Sequence, residues 1–195
     1  MTRGRPKSFD PDTVLEQAMQ VFWQHGYEAT SLQYLLAATG LSKSSLYQAY
    51  SNKQALFEAA FCNYTEQRSR EMRARLLQAP SPLEFLRGWL LSVLDDVGAD
   101  GNPRGCMLVN VANEFSQADP AVAELLQRGV ARMQRVLREA LQRAQACGEL
   151  SATADVDALA SYLHCVMSGL RTQVKSGAAK PAIEAVVELS MSTLR

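Results

Sequence analysis

The chain has 195 residues, 47% of them hydrophobic, and a formal net charge of zero. This length and composition suit one large or two small domains with an ample core, and the balanced charge excludes a polycation that binds nucleic acid over its whole surface. The N-terminus is basic, but the apolar segment of a secretory signal does not follow it. No apolar run is long enough to span a bilayer. We therefore expect a cytoplasmic protein with no membrane partner, whose four cysteines lack C-x-x-C spacing and are free thiols.

A short basic arm opens the chain. Its nine residues, MTRGRPKSF, place three cations before the first acid, Asp10: Arg3, Arg5 and Lys7. Arms of this kind reach into a minor groove or bind phosphates, although without DNA the same residues would form a disordered tail. Asp10, with the proline after it, then predicts the start of a helix that ends at Gly26.

Residues 30–56, TSLQYLLAATGLSKSSLYQAYSNKQAL, predict two short helices joined by a tight turn and the start of a third. The first helix has leucines at helical spacing, and Gly40 follows it, where a left-handed residue ends a helix. Ser42 then caps a second helix at 43–50. Two short helices around a glycine-containing turn indicate a helix-turn-helix, whose second helix lies in the DNA major groove.

Two capping boxes are predicted in this stretch. Thr30 with Gln33 would open the first short helix, and Ser51 with Gln54 would open the third, which starts at Asn52. In each box the hydroxyl accepts a hydrogen bond from a backbone N–H, and the amide side chain three residues on reaches back to the cap residue.

The residues predicted to be exposed on these helices are short donors and acceptors, with a few rings and lysines. No Asp or Glu occurs between Ala29 and Phe57, whereas Lys43 and Lys53 do. Such residues contact phosphates and base edges without clashing in a groove; the alternative is a polar helical hairpin on a surface. Besides the arm, the predicted DNA contacts are Thr30, Ser42, Lys43, Ser44, Ser45, Tyr47, Gln48, Tyr50 and Lys53.

The rest of the chain predicts helices only, so the predicted fold is all-α. Prolines 80 and 82 separate the first of these helices from the second. The last two are apolar over wide arcs with small residues between, which favours an oligomer interface, although a monomeric core would suit the same pattern. The predicted helices span about 52–79, 83–97, 104–115, 120–147, 151 or 153 to 175, and 180 onward.

The motif GLSKSSLYQAYSNKQALF resembles the helix-turn-helix of TetR-type transcriptional regulators, and FWQHGYEATSLQYLLAATG before it is similar to the same family. Many members carry aromatic-His-Phe where this chain has Gln48-Ala49-Tyr50, so Gln48 would make a different contact. The resemblance implies a DNA-binding domain at 1–56 and a regulatory domain at 57–195, connected by a long helix. It also implies a homodimer formed through the last two helices.

Residues 104–115, RGCMLVNVANEF, form a second informative stretch. Cys106 would lie in the first turn of a helix, where the helix dipole and Arg104 favour a thiolate, as in redox and electrophile sensors. Most free cysteines are instead small core hydrophobes. RGCMLVN resembles a segment of TetR-family repressors that sense reactive electrophiles. A lysine beside the thiol would stabilise the thiolate. Lys175 and Lys180 are the only lysines after residue 53, and Lys175 is included among the candidate effector residues.

A non-covalent effector is the alternative to thiol modification. Asn110 and Asn113 belong to a polar stripe on the same predicted helix, which forms either a pocket wall or a solvent-facing side. A small apolar effector would be held among Trp89, Met107, Asn110, Met133, His164 and Met167.

Other classes of function have little support in the sequence. His164 and Cys165 are adjacent and point about 100° apart on a helix, so no metal site is predicted. There is no glycine-rich phosphate loop and no nucleophile elbow, so neither a cofactor nor an enzyme is predicted. We predict a repressor that binds a near-palindromic double-stranded operator and is released by an effector or by modification of Cys106. The alternative is a helical protein-interaction module without a DNA role.

Overall fold

The structure, a computed structural model, describes residues 10–95, 105, 107–115 and 120–194. These residues form helices and no strand, which confirms the predicted all-α fold. They also contain no helix that is long and apolar enough to cross a membrane. The α-helices are α1 Pro11–His25, α2 Leu32–Thr39, α3 Lys43–Tyr50, α4 Lys53–Gln78, α5 Pro82–Leu91, α6 Met107–Glu114, α7 Pro120–Ala146, α8 Val156–Lys175 and α9 Lys180–Ser192, with a 3-10 helix at Ser92–Asp95.

The chain forms two compact units that divide between Tyr64 and Thr65, within α4. The first unit therefore contains α1 to α3 and the start of α4. The second contains the rest of α4 and all later helices. The domain boundary predicted at residue 56 stays a prediction.

The first unit begins and ends its first helix as predicted. The Asp10 carboxylate accepts hydrogen bonds from the Asp12 backbone N–H at 3.3 Å and from the Thr13 hydroxyl at 2.6 Å, so it satisfies a donor that the helix start would leave unpaired. The helix stops at Gly26, whose φ of 80° is a conformation that residues with a side chain rarely adopt.

An aromatic cluster forms the core of the first unit. Phe22 of α1 packs edge-to-face against Phe57 of α4 with ring centroids 5.1 Å apart, and Tyr27 contacts both rings. Leu35 of α2 and Leu46 of α3 are completely buried. Each of these short helices is thus held by one central leucine, and its other faces stay available to solvent.

Both predicted capping boxes are wrong by one residue. Ser31 caps α2, because its hydroxyl accepts from the Tyr34 N–H at 3.2 Å, while the Thr30 hydroxyl donates to the Gly26 carbonyl. At α4 the cap is Asn52, whose side-chain oxygen accepts from the Ala55 N–H at 2.8 Å.

The second unit has one continuous apolar core with contributions from α4, α5, α7, α8 and α9. Helix α7 packs against α5, α6 and α8, and α9 packs against α5 and α8. Ion pairs at the surface connect the helices: Arg73 with Glu139, Arg87 with Glu188, and Arg138 with Asp157. These pairs are largely solvated, so the buried apolar area supplies most of the stability.

Two helix ends in the second unit differ from the prediction. Helix α5 changes to a 3-10 helix at Ser92, before the predicted end. Helix α8 starts after Asp155, whose carboxylate accepts from the Ala158 N–H at 3.0 Å. The predicted caps, Ser151 and Thr153, instead hydrogen-bond to each other in the preceding turn.

Candidate nucleic-acid interface and effector region

Helix α3 presents a polar face built on a single buried anchor. Ser42 is its N-cap and accepts a hydrogen bond from the Ser45 N–H at 3.1 Å. Leu46 holds the helix to the unit, since its side chain is fully buried. The residues left exposed are Lys43, Ser44, Tyr47, Gln48 and Ala49.

The exposed face of α3 contains donors and acceptors suited to a nucleic acid. The Ser42 hydroxyl lies 3.0 Å from that of Ser44 and 2.8 Å from that of Ser45. The Lys43 Nζ lies 6.0 Å from the centroid of the Tyr47 ring, and 40% of Tyr47 is exposed. A lysine beside an aromatic ring and three hydroxyls can donate to phosphates and to base edges.

Two predicted DNA contacts, Thr30 and Lys53, make internal interactions in the structure. Thr30 is only 2% exposed, and its hydroxyl donates to the Gly26 carbonyl at 2.5 Å. The Lys53 Nζ donates to the Glu28 carbonyl at 3.3 Å and lies 4.4 Å from the centroid of the Tyr27 ring. These two residues therefore fix the loop between α1 and α2.

Tyr50, at the end of α3, is half-buried. Burial is the main cause that raises the pKa of its hydroxyl, and the negative charge of Asp12 raises it further. The hydroxyl accordingly stays protonated at neutral pH and can act as a donor. The three cations of the predicted arm, Arg3, Arg5 and Lys7, lie outside the described residues.

Sequence reasoning missed two exposed residues at the start of α2. Tyr34 on α2 is 51% exposed and stacks on His25, with ring centroids 4.8 Å apart. Ser31, the cap of α2, is exposed as well. The signal for Ser31 was present in the adjacent Thr-Ser pair, where either hydroxyl could cap. Nothing in the local pattern indicates the stacking of Tyr34 on a residue of another helix.

The predicted effector region is described in part. Cys106 and Arg104 lie outside the described residues, but Gly105, next to Cys106 in the chain, is described with a φ of 74°. A side chain at Gly105 would place its Cβ 2.9 Å from Cδ of Lys175, 3.8 Å from Nζ of Lys175 and 3.8 Å from Oδ1 of Asn110. The structure thus brings Lys175 and Asn110 together at the residue that precedes Cys106.

The other predicted effector residues have different surroundings. Met107 and Met167 are buried, Met133 is half-buried against the core of the second unit, and Asn113 is exposed. The exposure of Asn113 favours the solvent-facing reading for that end of the polar stripe. Trp89 lines a surface cleft that none of the others lines.

His164 of α8 is half-buried in the second unit. Burial is the main cause that lowers its pKa, and the positive charge of Arg171 lowers it further. The imidazole is therefore neutral at physiological pH. Among the described residues, no group of three or more His, Cys, Asp or Glu side chains could hold a metal ion.

Comparisons with known proteins place the whole chain in one family. Residues 14–60 match the model for bacterial regulatory proteins of the tetR family, and residues 82–188 match the tetracyclin repressor-like C-terminal domain. The HTH-type transcriptional repressor ComR of Escherichia coli is 34% identical over 100% of this chain and 91% of its own length. YezE of Bacillus subtilis, an HTH-type transcriptional regulator, is 32% identical over 98% of this chain and 99% of its own length.

A solved structure shows the same fold. A cysteine-substituted variant of the TetR-family regulator CifR, in complex with a 26-base-pair operator DNA, has a TM-score of 0.83 and 35% identity, and the match covers 98% of this chain and 100% of that one. Regulators of this family bind operator DNA as dimers and respond to small-molecule effectors. Family models, relatives and fold agree, and the chain belongs to the TetR family of DNA-binding transcriptional regulators.

Proposed function

We propose that this protein is a repressor that binds a near-palindromic operator as a homodimer, with α3 of each subunit in the major groove. The observation that carries the proposal is the exposed face of α3, where Lys43, Ser44, Tyr47 and Gln48 point to solvent. No acidic residue occurs in 30–57 to repel phosphates. Helix-turn-helix dimers read half-sites about 34–36 Å apart, or multiples of that spacing.

Relatives support both parts of the proposal. ComR, similar over the full chain, is named a transcriptional repressor. The CifR variant was solved on a double-stranded operator, and the matched region includes nearly all of this chain. DNA binding by a protein of this fold and this level of identity therefore has a direct structural precedent.

The last two helices offer the surface for a homodimer. Among the described residues, Tyr162 of α8 is 37% exposed, and Val186 and Leu189 of α9 are 44% and 68% exposed. Cys165 and Gly169 are exposed on α8 as well, so small residues there permit a close approach of a partner helix. Apolar side chains of this size on two adjacent helices favour burial against a second copy.

The effector proposal centres on Cys106. An electrophile or oxidant that modifies its thiol would release the repressor from DNA, and the positive charge of Lys175 would favour the thiolate. Support comes from Gly105, because the Lys175 stem packs directly over this neighbouring residue. A positive charge near a thiol lowers its pKa and raises its reactivity at neutral pH. The alternative, a non-covalent small molecule, is supported by the cleft at Trp89.

Salt-dependent DNA binding tests the α3 assignment. We expect Lys43→Ala to weaken binding to all sequences and to reduce the slope of log affinity against log salt by about two, one for each subunit of the dimer. Gln48→Ala should instead change the sequence preference, because an amide reads base edges. Arg70→Ala, which removes an exposed cation of α4, is the control and should change neither property. An unchanged salt slope for Lys43→Ala would remove this lysine from the phosphate contacts.

Thiol modification is tested by gel shift on the DNA upstream of the protein's own gene. We expect N-ethylmaleimide to release the reduced wild-type protein and not Cys106→Ser. The Cys147→Ser and Cys165→Ser variants each lack one of the described exposed thiols, and N-ethylmaleimide should still release them from the DNA. If N-ethylmaleimide also releases the Cys106→Ser variant from the DNA, another thiol is the sensor. If the wild-type protein stays bound, the non-covalent alternative is favoured.

A further inference from the structure

A surface cleft of about 270 Å³ lies between α4 and α5 in the second unit. Its lining residues are Arg75, Ala79, Phe85, Gly88 and Trp89. The volume falls just below the range of about 300–1,000 Å³ that is typical of small-molecule sites. A cleft of this size accepts a ligand of one or two rings.

The cleft combines an apolar wall with one cation. Phe85 is buried, and Trp89 is half-buried and packs partly against the core of the second unit. Both rings therefore have fixed positions, and an aromatic ligand would bury apolar area against them at little cost in side-chain entropy. Arg75, which also lines the cleft, provides the positive charge.

Arg75 differs from most arginines of the second unit because it pairs with no carboxylate among the described residues. Two other arginines of α4 are paired: Arg68 with Glu71, and Arg73 with Glu139. A planar guanidinium without a protein partner can bind a carboxylate through two parallel hydrogen bonds. Beside the rings of the cleft, it would bind the acid group of a ligand whose ring packs on Trp89.

Gly88 lines the cleft without a side chain. It lies inside α5, where glycine costs about 0.5–1 kcal/mol relative to alanine. A Cβ at this position would meet no atom within 4 Å, so no neighbouring group requires a glycine. What the missing side chain provides is space in the cleft.

From these three features we infer that the cleft is a binding site for a small aromatic carboxylate. The ring would lie against Phe85 and Trp89, and the carboxylate would accept hydrogen bonds from Arg75. An uncharged ligand of the same shape would bind more weakly, since Arg75 would remain unpaired. The inference concerns binding alone; only an effect of this ligand on operator release would rest on the function proposed above.

Fluorine NMR of the full-length protein labelled with 5-fluorotryptophan tests the site. The chain has two tryptophans, so the spectrum has two signals. Trp23 belongs to the first unit and serves as an internal reference, and Trp23→Phe assigns the signals. The probes are 2-naphthoate and its neutral analogue 2-naphthamide. We expect 2-naphthoate to shift the Trp89 signal saturably and 2-naphthamide to bind at least about tenfold more weakly.

Variants connect the shift to the named residues. Arg75→Gln should weaken 2-naphthoate about tenfold, whereas Arg70→Gln, an exposed arginine of α4 outside the cleft, should not. Gly88→Leu should abolish the Trp89 shift by filling the cleft, and Gly88→Ala checks that a side chain on this helix preserves folding. No saturable shift, or equal affinity for acid and amide, would overturn the inference. A gel shift with 2-naphthoate separately shows whether binding affects DNA.

Discussion

At the scale of single residues, Ser51 is the strained position of the first unit. Among the described non-glycine residues it alone has a positive φ, 61°, with a ψ of −51°. The Asn52 N–H donates to the Tyr50 carbonyl at 2.6 Å across it. These angles and this hydrogen bond define a γ-turn of the rare, strained type. The turn redirects the chain from α3 into α4, so the exit of the proposed recognition helix carries a conformational cost.

Replacing Ser51 with glycine tests this strain. Ser51→Gly should raise the free energy of unfolding of the first unit by about 1 kcal/mol, because relief of a strained backbone exceeds the entropic cost of glycine. Ser44→Gly, inside α3, should lower it by about 0.5 kcal/mol. Denaturant titration followed by Trp23 fluorescence in a Trp89→Phe background measures both. Destabilisation by Ser51→Gly as large as that by Ser44→Gly would show that the turn is not strained.

The capping residues show where sequence reasoning stops at this scale. A capping box was predicted from Thr30 and Gln33, but the neighbouring Ser31 is an equally good cap by type. The choice depends on the Gly26 carbonyl, which accepts the Thr30 hydroxyl and removes it from the competition. The loop between α1 and α2 positions that carbonyl, and the geometry of this loop cannot be predicted from the residue types near Thr30. The existence and order of the helices, in contrast, follow from leucine spacing and glycine positions.

At the scale of elements, Glu139 connects α4 to α7. Its carboxylate accepts from Arg73 of α4 at 2.8 Å and from Arg143 of α7 at 2.8 Å, and 26% of its side chain is exposed. The hydrogen bond from Arg73 is the main cause that lowers the pKa of Glu139 below 4.5. A carboxyl with a lowered folded-state pKa adds stability above its unfolded-state pKa, and this contribution is lost as the pH falls through the folded-state value.

We therefore expect Glu139→Gln to destabilise the second unit at pH 7 by about 0.5–1 kcal/mol. The difference from wild type should shrink as the pH falls below about 4.5 and vanish once the wild-type carboxyl is protonated. Glu71→Gln, which removes an exposed pair within α4, should cost less at pH 7. Denaturant unfolding at several pH values measures the difference. A pH-independent cost for Glu139→Gln would mean that packing, and not charge, connects the helices here.

At the scale of the whole molecule, the family was predictable and the effector region was not. The helix-turn-helix motif lies within one continuous stretch, so residue type and spacing are enough to identify it. The approach of Lys175 to Gly105 joins positions far apart in the sequence. Such contacts depend on the packing of α8 within the second unit, which no local pattern encodes. The cleft at Trp89 also depends on packing between helices, since Arg75 and Gly88 belong to different helices.

The last prediction concerns the surface through which the homodimer forms. Leu189 on α9 is 68% exposed and lies on the surface proposed for dimerisation, and Leu77 on α4, 57% exposed, is a matched leucine elsewhere. Glutamate at position 189 would bury a charge in the interface, which costs several kcal/mol without a partner. We expect Leu189→Glu to sediment as a monomer at micromolar concentration, whereas Leu77→Glu remains a dimer.

Operator affinity should fall at least about tenfold for Leu189→Glu alone, because two linked DNA-binding units bind adjacent half-sites more tightly than one. A dimeric Leu189→Glu variant with wild-type operator affinity would place the interface on another surface of the second unit.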